Sequence, residues 1–109
     1  MKVFIIYCHP SHNSLTREVR DSFIDGLKSA GHTFILSDLY AMNFNASMSE
    51  DEYLREGFYR RELPLPPDVQ AEHEKINACD AIAFIYPVFW TEAPAKLTGW
   101  FDRVWTYPP

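Results

Sequence analysis

Apolar residues along the chain fall into two kinds of run. Three runs are short and unbroken: KVFIIYC from Lys2 to Cys8, the centre of HTFILSDL from Phe34 to Leu36, and AIAFIY from Ala81 to Tyr86. Continuous runs of this length, rich in β-branched and aromatic residues, predict strands covered on both faces, as in a parallel sheet. The other runs repeat with helical spacing. Leu15, Val19, Phe23 and Leu27 recur every fourth residue, Ile24 and Ala30 widen the stripe, Ser14 precedes it and Gly31 follows it. That pattern predicts a capped helix buried along the stripe. Ser49 and Glu52 have capping-box spacing and open a short helix from Glu50 to Phe58, whose acidic run reads as a solvated face. A further helix, Asp68 to Ala78, follows Pro67 and is amphipathic through Val69, His73 and Ile76. In the last helix, Pro94 sits in the first turn and Leu97, Trp100, Phe101, Val104 and Trp105 form the buried stripe.

Strand, helix and strand follow one another within the first 38 residues, which is a βαβ unit with a right-handed crossover. The class is therefore α/β with a parallel sheet. A chain of 109 residues has room for one core, and residues 1–109 read as a single domain without internal repeats or low-complexity segments.

The composition, 47% hydrophobic and 16% aromatic, is that of a globular protein. A net charge of −5, with Arg60 and Arg61 as the tight basic pair, argues against a nucleic-acid partner. No apolar run approaches the roughly 20 residues of a membrane span, and the MKVFIIYC start lacks a secretory signal, so no transmembrane segment and a cytoplasmic location are expected. Cys8 and Cys79 sit in or beside apolar runs and read as reduced core residues. His32 and His73 read as surface residues, and Asp38 as a turn cap. Cys8, His9 and His12 lack a second ligand pair, so no metal site is expected, and no nucleophile-histidine arrangement can be assembled.

Ligands of open doubly wound sheets bind beyond the carboxyl ends of the strands, where the strand order reverses. Spatial order 2-1-3 would place the loop after strand one beside the loop after strand three. The first offers His9, Ser11, His12, Asn13, Ser14 and Thr16 around a helix N-terminus, a setting for phosphate or for ordinary capping by Ser14 or Asn13. It contains no glycine, so neither the GxGxxG fingerprint nor a Walker loop is present. The second loop offers Pro87, Val88, Phe89 and Trp90, a flat apolar wall that could equally be a dimer patch or core. Side by side, the two suit a flavin mononucleotide moiety, with phosphate at one end and a flat ring at the other.

Three segments in order, IIYCHPSHNSLT, SDLYAMNFN and PVFWTEAPAKLTGWFDRV, resemble the flavodoxin-like NAD(P)H:quinone oxidoreductase family, which includes DT-diaphorase, modulator of drug activity B and bacterial NAD(P)H dehydrogenases. The resemblance runs from residue 3 to about 105. It implies a flavodoxin-like three-layer sandwich, an FAD or FMN cofactor, NAD(P)H as co-substrate, a quinone-like electron acceptor, ping-pong order and a homodimer in the full-length form. By motif position, His9, Ser11, Ser14, Leu15 and Thr16 would surround the flavin phosphate and ribityl chain. Pro87, Val88, Phe89 and Trp90 would line the flavin ring, and the resemblance assigns no catalytic residue. Leu15, Thr16, Phe89 and Thr91 stand where some relatives carry other residues, which leaves FAD against FMN open. The family continues with fourth and fifth strands that are missing here, so a partial sheet with an uncovered edge at strand three is expected. An inactive flavin-binding or regulatory module and an electron carrier of the same fold are the alternatives.

Overall fold

A computed structural model describes residues 1–106. Its elements are β1 (Lys2–Tyr7), α1 (Leu15–Ser29), β2 (Thr33–Asp38), α2 (Glu50–Gly57), α3 (Pro67–Ala78), β3 (Ala81–Ile85) and α4 (Ala95–Val104). The sequence-derived elements all form, with ends within a residue or two of those expected. The strands make one parallel sheet in the order β2-β1-β3, with Val3 opposite Phe34 and Ala81, and Tyr7 opposite Asp38 and Ile85.

Side chains alternate across this sheet. Phe4, Ile6 and Cys8 meet Leu39, Phe44, Leu97, Trp100 and Val104 in the main core, joined by Ile35, Ile82 and Phe84 from the flanking strands. Val3, Ile5 and Tyr7 take the opposite face, the side of α1, while α3 and α4 pack on each other, giving three layers. β1 is buried on both faces, as its unbroken apolar run predicts. β2 and β3 are not covered on both faces as expected: β3 is half-buried throughout and β2 is largely so, because each has β1 as its one strand neighbour among the described residues.

Two charged clusters fix the helices over the core. Glu72, fully buried, accepts from Ser37 Oγ (3.1 Å), Trp100 Nε1 (2.9 Å) and Lys75 Nζ (2.6 Å), tying α3 to β2 and α4. Arg103 of α4 donates to Glu52 of α2 (2.9 Å), to both carboxylate oxygens of Asp68 on α3, and to the Asn45 carbonyl (2.7 Å). Burial by itself would lower the Arg103 pKa, but its hydrogen bonds to Asp68 and Glu52 outweigh it and hold the guanidinium above its ordinary value. Gly99 lets α4 approach the backbone of Ala46, where a methyl would overlap the Ala46 carbonyl oxygen, Cα and Cβ.

Four further sequence expectations need correction. α1 has no fully buried residue: Leu15, Val19 and Phe23 are exposed, and the inward line runs through half-buried Thr16, Arg20, Ile24 and Leu27. The helix is rotated so that Arg20 lays its guanidinium on the Tyr7 ring, 4.5 Å from its centre, in place of an apolar contact. The acidic run of α2 is not wholly solvated, because Glu52 faces inward to Arg103 and is 6% exposed. Trp105 caps α4 and is exposed, its ring packing on Trp100 and Phe101 from outside. His73 and His32 are half-buried: His73 Nε2 donates to the Val104 carbonyl (2.8 Å), and His32 Nδ1 accepts from the Met1 amino group (2.9 Å).

Candidate functional site

The loop after β1 is held by its own side chains. Ser14 is extended, and its hydroxyl accepts from the Arg17 amide (3.1 Å), which makes it the N-cap of α1. The bond from Glu18 N to Ser14 O closes the first helical turn, so the amides of Leu15 and Thr16 precede the intrahelical series and point off the helix start. Arg17 Nη1 donates to the His12 carbonyl (2.9 Å) and pins the loop to the helix. Ser11 closes a local turn, accepting from the Asn13 amide (3.2 Å) and donating to the Asn13 carbonyl (3.4 Å).

His9 is half-buried, and its Nδ1 lies 2.9 Å from the Ser11 amide nitrogen and 3.2 Å from the Ser11 carbonyl oxygen. The amide contact is the shorter of the two and a backbone N–H can only donate, so we assign Nδ1 of the neutral ring as the acceptor and the proton to Nε2. His9 is thereby a donor at the loop. Cys8 just before it is fully buried, and burial pushes its thiol up to about 11, which makes it a core residue and not a nucleophile.

The loop after β3 lies alongside. The Cys8 amide donates to the Ile85 carbonyl (3.1 Å), keeping the two strand ends in step. Beyond it Pro87 is half-buried, whereas Val88, Phe89 and Trp90 are 62%, 58% and 92% exposed. Those values exclude the core reading for all three side chains. His9 and Phe89 meet edge to face, ring centres 6.0 Å apart and planes at 62°, so the polar loop and the apolar loop touch. Of the residues singled out from sequence, the structure brings His9 and Phe89 into contact. It commits the hydroxyls of Ser11 and Ser14 to local turns, and offers Leu15 and Thr16 through their backbone.

A cavity of about 280 Å³ opens on the β2 side of the same loop. Tyr7, His12, Arg17, Arg20, Asp38 and Tyr40 contribute to its wall. Arg20 pairs with Asp21 (2.9 Å) and approaches Asp38 (3.7 Å), and Asp38 also accepts from the Ala41 amide (3.2 Å), the turn cap expected for it. The Tyr7 hydroxyl is buried and has no hydrogen-bond partner among the described residues. Sequence reasoning did not find Arg17 and Arg20; their three-residue spacing at the polar flank of α1 is the signal that could have shown them.

Comparison with known proteins follows this geometry closely. Residues 1–108 match the family described as flavodoxin-like fold. An NAD(P)H:quinone oxidoreductase from Methanothermobacter marburgensis superposes with a TM-score of 0.94 at 55% identity, covering 98% of this chain and 54% of that one. NAD(P)H dehydrogenase (quinone) 1 of Rattus norvegicus is 32% identical over 116 residues, 94% of this chain and 42% of the rat protein. Ribosyldihydronicotinamide dehydrogenase (quinone) of Homo sapiens is 32% identical over 94% of this chain and 50% of the human protein. The chain thus spans about half the length of the relatives it matches. With its 2-1-3 parallel sheet and its loops meeting at the strand ends, this chain belongs to the flavodoxin-like fold family, among proteins that resemble the NAD(P)H quinone oxidoreductases.

Proposed function

We propose that this chain forms the flavin-holding part of an NAD(P)H oxidoreductase that passes two electrons to a quinone or similar small acceptor. The observation that carries this reading is the pairing of a donor loop, His9 with the Leu15 and Thr16 amides, with an exposed wall of Val88, Phe89 and Trp90. Three large apolar side chains exposed in one short loop are costly in water unless something flat covers them. The residues present fit a flavin in this respect.

Its phosphate end would lie at His9, Ser14, Leu15 and Thr16, where unpaired amides and the helix dipole favour negative charge. Ser11 would act by shaping the turn that orients His9, since its own hydroxyl is engaged with Asn13. Pro87, half-buried, begins the second loop, and Val88, Phe89 and Trp90 would exclude water from the ring. When bound, FAD or FMN supplies hydride acceptance from NAD(P)H and two-electron delivery to the acceptor at one shared site, which gives ping-pong order. The protein's part is binding, orientation and desolvation. A homodimer in the cytoplasm is the setting that accompanies this reading.

The test is an absorbance spectrum after excess FAD or FMN has been added to the purified chain and free cofactor removed, followed by anaerobic NADPH. A retained yellow band that bleaches supports the reading. A retained band that does not bleach supports a flavin-binding module without turnover, and a colourless protein overturns flavin binding by this chain.

A further inference from the structure

Phe89 has a contact that lining a flavin would not require. Its ring and the His9 imidazole meet edge to face, although 58% of the residue remains exposed. On its other side His9 is held by one short bond, the Ser11 amide on Nδ1. That bond sets which nitrogen carries the proton, but a single hydrogen bond leaves the ring free to pivot about it. A ring placed edge to face restricts that pivot, because the quadrupoles of the two rings favour one relative orientation.

Resting on the flavin reading above, we infer that Phe89 is a positioning residue: through its ring contact with His9 it holds the Nε2–H donor in one orientation and so strengthens binding of the flavin's phosphate group. The His9 loop and the 87–90 loop are then one device. Ser11 fixes the tautomer, Phe89 fixes the ring plane, and the Leu15 and Thr16 amides complete the donor set. An aromatic pair of this kind contributes roughly 2- to 10-fold to an equilibrium constant. An aliphatic side chain of similar size keeps the apolar wall and loses the pair.

The experiment compares FMN with riboflavin, which has the same ring system and no phosphate, by fluorescence quenching on the parent chain and on Phe89→Leu. A residue that only packs on the flavin ring weakens both ligands equally. A residue acting through His9 weakens FMN by about 2- to 10-fold more than riboflavin, and that excess disappears when the comparison is repeated in a His9→Gln background. Phe89→Tyr, which keeps the aromatic ring, restores the FMN advantage. In parallel, the ¹⁵N shifts of the His9 ring are read without ligand. The parent is expected to show one Nε2–H tautomer in a fixed setting, and Phe89→Leu to show averaging. Equal losses for FMN and riboflavin overturn the inference, as do unchanged His9 shifts in Phe89→Leu. If the parent binds neither ligand, the flavin reading fails and with it the phosphate role, while altered shifts would still uphold the positioning of His9.

Discussion

Replacing Arg103 by methionine removes one buried cation and strands two carboxylates of unequal burial. The Arg103 side chain is 3% exposed, and those of its partners Glu52 and Asp68 are 7% and 43% exposed. Glu52 therefore dominates the cost, since a buried carboxylate that loses its counter-charge keeps its desolvation penalty and gains nothing for it. Breaking a buried pair from one side costs roughly 3–5 kcal/mol. The water around Asp68 limits its share to about 1 kcal/mol or less. Methionine keeps an unbranched apolar stem beside Phe44, so little of the loss comes from packing. The expected destabilisation is about 4 kcal/mol, read as a fall in the urea midpoint with tryptophan fluorescence as the probe. The double variant Glu52→Gln/Arg103→Met should be more stable than Arg103→Met alone, because a neutral amide carries no stranded charge. A single variant within about 1 kcal/mol of the parent, or a double variant no better than the single, would refute the buried-pair reasoning.

Other consequences can be checked with the same preparation. Gly99→Ala should destabilise by about 2 kcal/mol or more, the overlap with Ala46 exceeding a helix-propensity gain of roughly 1 kcal/mol. Gly26→Ala, with open space around the added methyl, should stabilise by up to about 1 kcal/mol, and urea melts showing the opposite signs would contradict both. Hydrogen bonding from Arg103 holds the Asp68 carboxyl below its ordinary pKa. Its contribution is thus complete above the unfolded carboxylate pKa and is lost as pH falls through the lower folded value. Asp68→Asn should remove that part of the acid sensitivity, and an unchanged stability profile below about pH 4 would count against it. Cys8 should react with an aromatic disulfide reagent at pH 8 only as fast as the chain opens, with Cys79 reacting first; rapid release of two equivalents would be inconsistent with the buried thiol.

The central strand was legible in the sequence because burial on both faces leaves a simple trace. The run from Val3 to Cys8 is apolar at every position and buried throughout, whereas the equally apolar run of β3 is only half-buried, because β1 is its one strand neighbour among the described residues. The Ser49–Glu52 capping box and the Ser14 cap were equally readable, because each is closed by residues three apart and needs nothing distant. The two loops could be named as a candidate site from composition and from the rule that ligands gather at strand ends, and the structure sets them side by side.

What the sequence left open depends on partners far along the chain. Leu15, Val19 and Phe23 have helical spacing, yet which line of α1 faces the sheet was decided by Arg20 settling on Tyr7. Glu52 looks like its acidic neighbours until Arg103, 51 residues later, arrives beside it. Periodicity records that a helix has two faces, whereas charge pairing across elements records which residue opposes which. The same holds at the site. His9 and Phe89 could each be picked out by type, but their ring contact exists only because β1 and β3 run parallel and in register, carrying two loops 80 residues apart to the same edge.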